Sequence, residues 1–550
     1  MRYLEKRGSM NERIDVALNK FRSRFNSFPP GLCPLALYRS ILQMSMNQSC
    51  GKCVPCRDGL QEADRLLGSI LSGDADEGTL TELRTLCQSV AATADCAVGV
   101  VAATTVLDSL TEFADEYESH IRSRRCVEPA VQTVPCMTLC PAHVDVPAYI
   151  ALIREGDCAG AIQMIRDRNP FPTACAMICE HPCERKCRRN IIDAPVNIRG
   201  LKKYAVDSVK ADTVDDPPAN VPTGKSVAVV GGGPSGLTAA YFLARMGHSV
   251  DIYEEHEKLG GMLRYGIPEY RLPKERLDED IRAILRSGDI RVHCGCKIGR
   301  DADYAAVRDS HDAVYLALGA QLGNRMPMDD ANAPGVTSAA EFLLDVSENG
   351  GDLTGKKVVL IGGGNVAMDA ARTAVRLGAE TVHVFTRKRD DYTALESEMQ
   401  SAMQEGVRFR TLLNFLNIET DKETGSVRAV WLQPEIVGPY DDMGFVTTEH
   451  SSNYPYRFKC DLLIMAVGQR SDTAAFAEAG LPTVRGRIEA DEACRVRETE
   501  GVFSGGDCVT GPSTAIRAIA AGQVAAFNID EYLGYHHKLP RAVITPEARP

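Results

Sequence analysis

Two stretches of this chain, KSVAVVGGGPSGLTAAYFLARMGHSVDIYEE and KKVVLIGGGNVAMDAARTAVRLGAETVHVFTRK, repeat one pattern: apolar run, glycine turn, helix-period segment, second apolar run. Each reads as a βαβ unit, in which the two strands lie parallel and the helix crosses over between them. Two such units imply two nucleotide-binding domains, each with its own parallel sheet.

The first unit places Gly231-x-Gly233-x-x-Gly236 directly after the strand SVAVV. The first glycine permits the tight turn, the second lets the backbone approach a pyrophosphate, and the third packs helix on strand. Pro234 and Ser235 lie in the same turn, at the N-terminus of a helix that faces the phosphates. The next strand, VDIYE, ends in Glu254, a carboxylate placed to accept hydrogen bonds from ribose hydroxyls. The second unit carries Gly362-x-Gly364-x-x-Ala367, with Asn365 and Val366 in its turn. Its second strand, TVHVF, ends in Thr386, Arg387, Lys388 and Arg389 instead of an acid. Basic groups bind a 2′-phosphate that a carboxylate would repel, so this unit is expected to prefer NADP(H), with Arg387 and Lys388 as the contacts. An acid at one site and bases at the other imply two different dinucleotides, FAD first and NADP(H) second. Further on, EGVFSGGD ends a strand with Asp507, suited to the ribityl or pyrophosphate region. The helix that begins near Ala515 can stabilise negative charge on a reduced flavin.

A net charge of −12 argues against general nucleic-acid binding, and no apolar run is long enough to span a bilayer. The charged N-terminus lacks the apolar core of a signal peptide, so the expected location is the cytoplasm. In a reducing compartment the 19 cysteines point to metal sites, not disulfides. One set is Cys50, Cys53 and Cys56 with Cys96 downstream, embedded in helix-period sequence. Three close ligands and one distant one are a common arrangement for a 4Fe–4S cluster. A second set comprises Cys126, Cys136, Cys140, Cys175, Cys179, Cys183 and Cys187. Zinc is the rival for both sets, although its sites usually come as two separated CxxC pairs. Cys33, Cys87 and Cys158 read as structural. No CxxC pair stands in the C-terminal two thirds, which disfavours disulfide-reductase chemistry there.

From about residue 126 onward the chain resembles the small subunit of NADPH-dependent glutamate synthase and its relatives. These include the N-terminal half of dihydropyrimidine dehydrogenase and the large subunit of bifurcating NADH-dependent ferredoxin:NADP oxidoreductase. The shared runs include CPAHVDVPAYIALIREG, NPFPTACAMICEHPCERKCRR, PVNIRGLKKYA, VGGGPSGL, LGGMLRYGIPEYRLP, GGGNVAMDAAR, AVGQ and GVFSGGD, in the order of that family. The resemblance implies a helical iron–sulfur domain holding two 4Fe–4S clusters, then an FAD domain with an NADPH domain inserted. It also places Gly261 and Arg271 on the FAD and makes residues 466–468 the return from the inserted domain. The seven candidate ligands from Cys126 to Cys187, Cys158 set aside, are one short of eight, and Lys202 stands where relatives place a Gln or Glu ligand. A protonated lysine cannot ligate iron, so one or two clusters are expected there. The motif SCGKCVPCRDG separately resembles the C-terminal cluster domain of the NADH-binding subunit of respiratory complex I and of related hydrogenase and formate dehydrogenase subunits.

The expected fold is thus an α/β flavoprotein with two dinucleotide-binding domains, a Rossmann-like FAD domain with an inserted NADPH domain, preceded by two all-α iron–sulfur domains. The segments expected are 1–120 (first cluster domain), 121–222 (second), 223–345 with 465–550 (FAD), and 346–464 (NADP(H)). The expected activity is NADP(H)-linked oxidoreduction in which FAD exchanges hydride with NADP(H) and 4Fe–4S clusters carry single electrons to or from partner subunits. No side chain is expected to act as a catalytic acid or base, because the cofactors supply the chemistry. The expected assembly is an electron-transfer complex of the transhydrogenase, hydrogenase or formate dehydrogenase type, including electron-bifurcating ones. Its partners would be an NADH/FMN subunit, a hydrogenase or formate dehydrogenase subunit, or a ferredoxin. The alternatives are the small subunit of glutamate synthase, partnered by its large subunit, and a non-catalytic scaffold.

Overall fold

The computed structural model describes residues 33–123, 134–388, 391–440 and 446–539. Two compact units meet in the chain after Val134. Cys126 and Arg389 fall outside the described residues.

The first unit is helical: Pro34–Gln48, Leu60–Ser72, Glu77–Thr93, Ala97–Glu112 and Ala114–Ser123. Local signals set its helix ends. Pro34 opens the first helix, where its missing N–H has no helical acceptor to lose. Gly73, at φ +80°, closes the second in the left-handed conformation. Asp76 and Thr79 form a reciprocal capping box on the third. Leu35, Leu42, Leu67, Ile70, Leu83, Val106 and Cys87 form the shared core. Cys87 is fully buried and its thiol is pushed up to about 12 by burial, as suits a packing residue.

The second unit starts with a helical layer, Val146–Arg154, Cys158–Arg166, Pro172–Ile178 and Ile198–Ser208. Asp145, Asp157 and Asn197 cap three of these helices through their side chains. A five-stranded parallel sheet follows, built from β1 (Ser226–Val230), β2 (Ser249–Glu254), β3 (Ile290–Cys294), β4 (Ala313–Leu316) and β16 (Val502–Ser504) in the order β16-β4-β1-β2-β3. Strand β1 is a nearly unbroken buried apolar run, which a parallel strand covered on both faces requires.

A second five-stranded parallel sheet, β6-β14-β7-β8-β9, takes in β6 (Val336–Ser338), β7 (Lys357–Ile361), β8 (Thr381–Phe385), β9 (Arg408–Arg410) and β14 (Leu462–Met465). The second domain therefore takes up β6 and the helix Ala339–Asn349, ahead of the boundary expected at 346; Phe342 and Leu343 pack into its core. Those elements lack a glycine motif, and only their pairing assigns them. An antiparallel sheet from β10 (Leu413–Thr420), β11 (Val427–Tyr440), β12 (Val446–His450) and β13 (Tyr456–Lys459) completes this domain. The chain enters and leaves it side by side, through β5 (Leu322–Gly323) paired with β15 (Gln469–Arg470). No single helix among the described residues is long and apolar enough to cross a membrane.

Candidate functional site

The first glycine turn is held open by contacts that only glycine tolerates. Gly231 has φ +109°, and a Cβ there would lie 2.3 Å from the Ala317 carbonyl oxygen. A Cβ on Gly236 would lie 1.9 Å from the Gly231 oxygen, so the helix abuts the turn. Gly233 caps the helix Pro234–Arg245, and the nearest atom to a Cβ there would be the Gly261 Cα at 3.8 Å, which leaves the turn clear. Gly231, Gly233, Pro234, Ser235, Glu254, Gly261, Arg271, Asp507 and Ala515 line one cleft at the carboxyl ends of β1 and β4. Glu254 is buried, and burial raises its pKa although its carboxylate accepts the Gly232 and His256 backbone N–H groups at 2.7 and 2.9 Å. Lone pairs remain on both oxygens for a ribose. Asp507 is pushed up to about 6 by burial, with the Ser513 N–H as its hydrogen-bond donor at 3.2 Å. An 18-residue helix, Ala515–Tyr532, directs its N-terminus at the same cleft.

The second cleft, of about 600 Å³, is lined by Gly362, Gly364, Asn365, Val366 and Arg387. Gly362 repeats the geometry of Gly231: φ is +131°, and a Cβ would meet the Ala466 oxygen at 2.3 Å. Lys388 does not line this cleft; its backbone N–H donates to Asp391 and its carbonyl accepts from Thr386. The cleft also uses Asp391 and Thr393, which carry no motif, and Gln469 from the AVGQ run. The Thr393 N–H donates to the Gly363 carbonyl at 3.0 Å, folding this segment onto the glycine turn.

Asn365, Val366 and Gln469 line both clefts, so the two binding spaces meet. Arg271 lies at this junction. It lines the first cleft, but its guanidinium donates to both oxygens of Asp369, at 2.7 and 2.6 Å, and lies 3.0 Å from Glu398. Its charge is thus spent across the domain boundary. Asp369 is nonetheless raised to about 6, because burial outweighs Arg271.

Ile178, Cys179 and Glu180 bring the helical layer into the wall of the first cleft. Glu180 Oε1 accepts from the Asn365 side-chain amide at 2.8 Å. Among the described cysteines of the second set, Cys140, Cys175, Cys179 and Cys183 lie within electrostatic reach of Lys202, and Cys136 lies within reach of Cys187. Burial pushes the free thiols of Cys175 and Cys183 up to about 12. Burial pushes Lys202 down, but Tyr149 and the sulfurs of Cys175, Cys179 and Cys140 outweigh it and hold the ammonium above the ordinary lysine value.

In the first unit, Cys53 is held below the usual thiol value chiefly by the Asp95 N–H, while burial raises Cys56, to which Cys53 is hydrogen-bonded. Cys96, the N-cap of the helix Ala97–Glu112, lies within electrostatic reach of Cys56. Cys50 lies exposed at the start of the cysteine loop. No three cysteine thiols among the described residues lie within 4.8 Å of one another. A tetrahedral zinc, with bonds of about 2.3 Å, would draw its sulfurs to about 3.8 Å apart. Wider spacing suits a multi-iron core, and all described cysteines are free thiols available to one.

Residues 198–522 match the pyridine nucleotide-disulphide oxidoreductase family. Residues 36–120 match the NADH-ubiquinone oxidoreductase-F iron-sulfur binding region. Residues 104–214 match dihydropyrimidine dehydrogenase domain II, 4Fe-4S cluster. The chain is 31% identical to the NADP(+)-dependent formate dehydrogenase subunit beta of Moorella thermoacetica, over 92% of this chain and 80% of that one. It is 32% identical to the NADPH-Fe(3+) oxidoreductase subunit beta of Geobacter sulfurreducens, over 88% and 77%. Mycobacterium tuberculosis FprA in complex with NADPH shares the fold, with a TM-score of 0.50 at 19% identity over 56% of this chain and 84% of that one.

Proposed function

The chain belongs to the pyridine nucleotide-disulphide oxidoreductase family, and on that premise we propose that it is the NADP(H)-linked flavin and iron–sulfur subunit of a larger redox complex. FAD bound in the first cleft supplies hydride exchange with NADP(H), and 4Fe–4S clusters supply single-electron transfer. The residues present fit these groups. Gly231, Gly233, Pro234, Ser235 and Gly261 form a turn clear of side chains for a pyrophosphate, and Glu254 keeps free lone pairs for the ribose. Asp507 and the helix start at Ala515 face the rest of the flavin. Gly362, Gly364, Asn365 and Val366, which line the second cleft, would hold NADP(H), and Arg387 would meet its 2′-phosphate. Lys388 contributes charge nearby without lining the cleft.

The observation that carries the proposal is the junction. Three residues are common to both clefts, and Cys179 stands on the wall of the first. A nicotinamide and a flavin can therefore meet beside a candidate cluster ligand. Cys50, Cys53, Cys56 and Cys96 hold a cluster in the first unit. Cys140, Cys175, Cys179 and Cys183 form a second complete ligand set without a non-cysteine residue, and Cys136 and Cys187 are left over from the candidate ligands that the structure describes.

The partner is a subunit carrying the terminal electron donor or acceptor, of the formate dehydrogenase or hydrogenase type. The first unit favours this over a glutamate synthase small subunit, because it matches an iron-sulfur binding region that ammonia chemistry does not need. Purification of the chain from its native source tests the proposal. Bound FAD, iron and acid-labile sulfide, NADPH-dependent dye reduction and a co-purifying redox subunit are expected. A chain without flavin, or a large amidotransferase subunit as its partner, would overturn it.

A further inference from the structure

We propose that Lys202 is a positioning residue for electron transfer: a buried cation set against the cluster held by Cys140, Cys175, Cys179 and Cys183, where it raises that cluster's reduction potential. This rests on the cofactor reading above and adds to it a residue that cannot itself be a ligand.

The helix Ile198–Ser208 buries Ile198, Lys202, Ala205 and Val206, the i, i+4, i+7, i+8 stripe of an amphipathic helix. A leucine would be the ordinary occupant of the second position. Lys202 is 8% exposed, whereas the adjacent Lys203 lies on the surface and pairs with Asp207. The contrast separates a lysine that serves solvation from one that the fold takes inside.

The helix is fixed over the cysteine loop by its own first turn. Asn197 caps it by accepting the Gly200 N–H at 3.0 Å. Arg199 donates its side chain to the Cys179 carbonyl at 3.0 Å and its backbone N–H to Glu184 at 2.7 Å. Lys202 follows Arg199 by three residues and so shares that face. The groups in its electrostatic reach are Tyr149 and cysteine sulfurs, and no described carboxylate forms an ion pair with it.

A buried ammonium without a counter-charge is costly, by several kcal/mol for an ion of this size. Protonated thiols do not balance it. Four thiolates on a 4Fe–4S core do, because that assembly is anionic in both redox states. The balance has a direction. Reduction adds negative charge beside a fixed positive one, so the reduced state gains more from Lys202 than the oxidised state does. Net charge and hydrogen bonds to sulfur are the protein's levers on cluster potential. A protonated lysine has no lone pair for iron, so this is tuning and not ligation.

The test is an anaerobic redox titration of the full-length holoprotein, followed by electron paramagnetic resonance, for wild type, Lys202→Met, Lys202→Gln and Lys202→Arg. The first unit's cluster serves as an internal reference and should keep its midpoint in all four. The expected result is wild-type iron and sulfide content in the variants, a lower midpoint for one cluster in the Met and Gln proteins, and a midpoint near wild type with Arg. An unchanged midpoint in loaded Met or Gln protein would overturn the proposal. If the neutral variants do not load, retention of the cluster by Arg alone supports a charge role, and loss from all three overturns it. Wild-type protein with no cluster signal beyond that of the first unit would overturn the cofactor reading itself.

Discussion

Asn365 donates its side-chain amide to Glu180 Oε1 at 2.8 Å while its own oxygen accepts the Leu395 N–H at 3.0 Å. Asn365 begins the helix after the second glycine turn, and Glu180 directly follows Cys179. One side chain therefore ties the NADP(H) cleft to the cysteine loop and to the segment that closes over the turn.

Removing that tie should loosen nicotinamide placement without emptying the flavin cleft. A hydrogen bond to a charged group contributes about 1.5–3 kcal/mol. Asn365→Ala is expected to lower kcat/KM for NADPH by about tenfold or more, at about 1.4 kcal/mol per decade, with unchanged bound flavin. Glu180→Gln, which keeps an acceptor oxygen, should lose less. Steady-state dye reduction and flavin absorbance measure both, and equal losses in the two variants would count against the tie.

Arg387 lines the second cleft and Lys388 does not, so the two should contribute unequally to nucleotide choice. Arg387→Ala is expected to reduce the NADPH/NADH ratio of kcat/KM by about tenfold to a hundredfold, the loss of a charge-assisted contact to phosphate. Lys388→Ala should shift it much less and mainly at low salt, where a distant charge is least screened. A ratio insensitive to Arg387→Ala would remove the 2′-phosphate from this turn.

Sequence patterns expose the parts of this fold whose chemistry is local. Gly231, Gly236 and Gly362 are visible because a Cβ at each would lie only 1.9–2.3 Å from a backbone oxygen, which excludes any side chain there. Strands β1 and β7 are visible because burial on both faces makes them continuous apolar runs. Asp391 and Thr393 are hidden, since they reach the second cleft only through tertiary packing; Glu180 and Gln469 stand in runs shared with relatives, but nothing in those runs assigns them to a cleft wall. Arg271 is legible as a residue at the flavin cleft, but its partners Asp369 and Glu398 lie 98 and 127 residues further along the chain, beyond any periodicity. Lys202 read only as a departure from a ligand pattern; its burial among sulfurs needed the packing of four helices.

Asp507 should make the flavin-free protein depend on pH. Its pKa rises from 3.8 to about 6 in the folded state through burial. Between those values the native state keeps a proton that the unfolded state has released, so stability falls as pH rises from about 4 to 6 and stays lower above. Asp507→Asn removes this ionisation. The flavin-free variant is expected to gain on wild type as pH increases, by at most about 3 kcal/mol at pH 7, with little difference near pH 4. Asp280 and Asp369, also raised by burial, are present in both proteins and largely cancel in the comparison. Denaturant unfolding at the two pH values reads the difference, while flavin affinity should fall in the variant.

The cysteine loop of the first unit offers a test that leaves its ligands in place. A Cβ on Gly99 would lie 2.5 Å from Cys56 Sγ and 2.7 Å from the Ala94 Cβ. Neither neighbour can yield easily: Cys56 is buried, and Ala94 ends the helix Glu77–Thr93. Gly99→Ala must therefore push the Cys56 thiol from its position, with overpacking of about 1–3 kcal/mol. Iron and sulfide are expected to fall by one cluster, matching the loss in Cys96→Ser. Flavin content and NADPH-dependent dye reduction, which belong to the second compact unit, should persist. Because the substitution deletes no thiol, full retention of the cluster signal in Gly99→Ala would mean that Cys56 is not held where iron needs it.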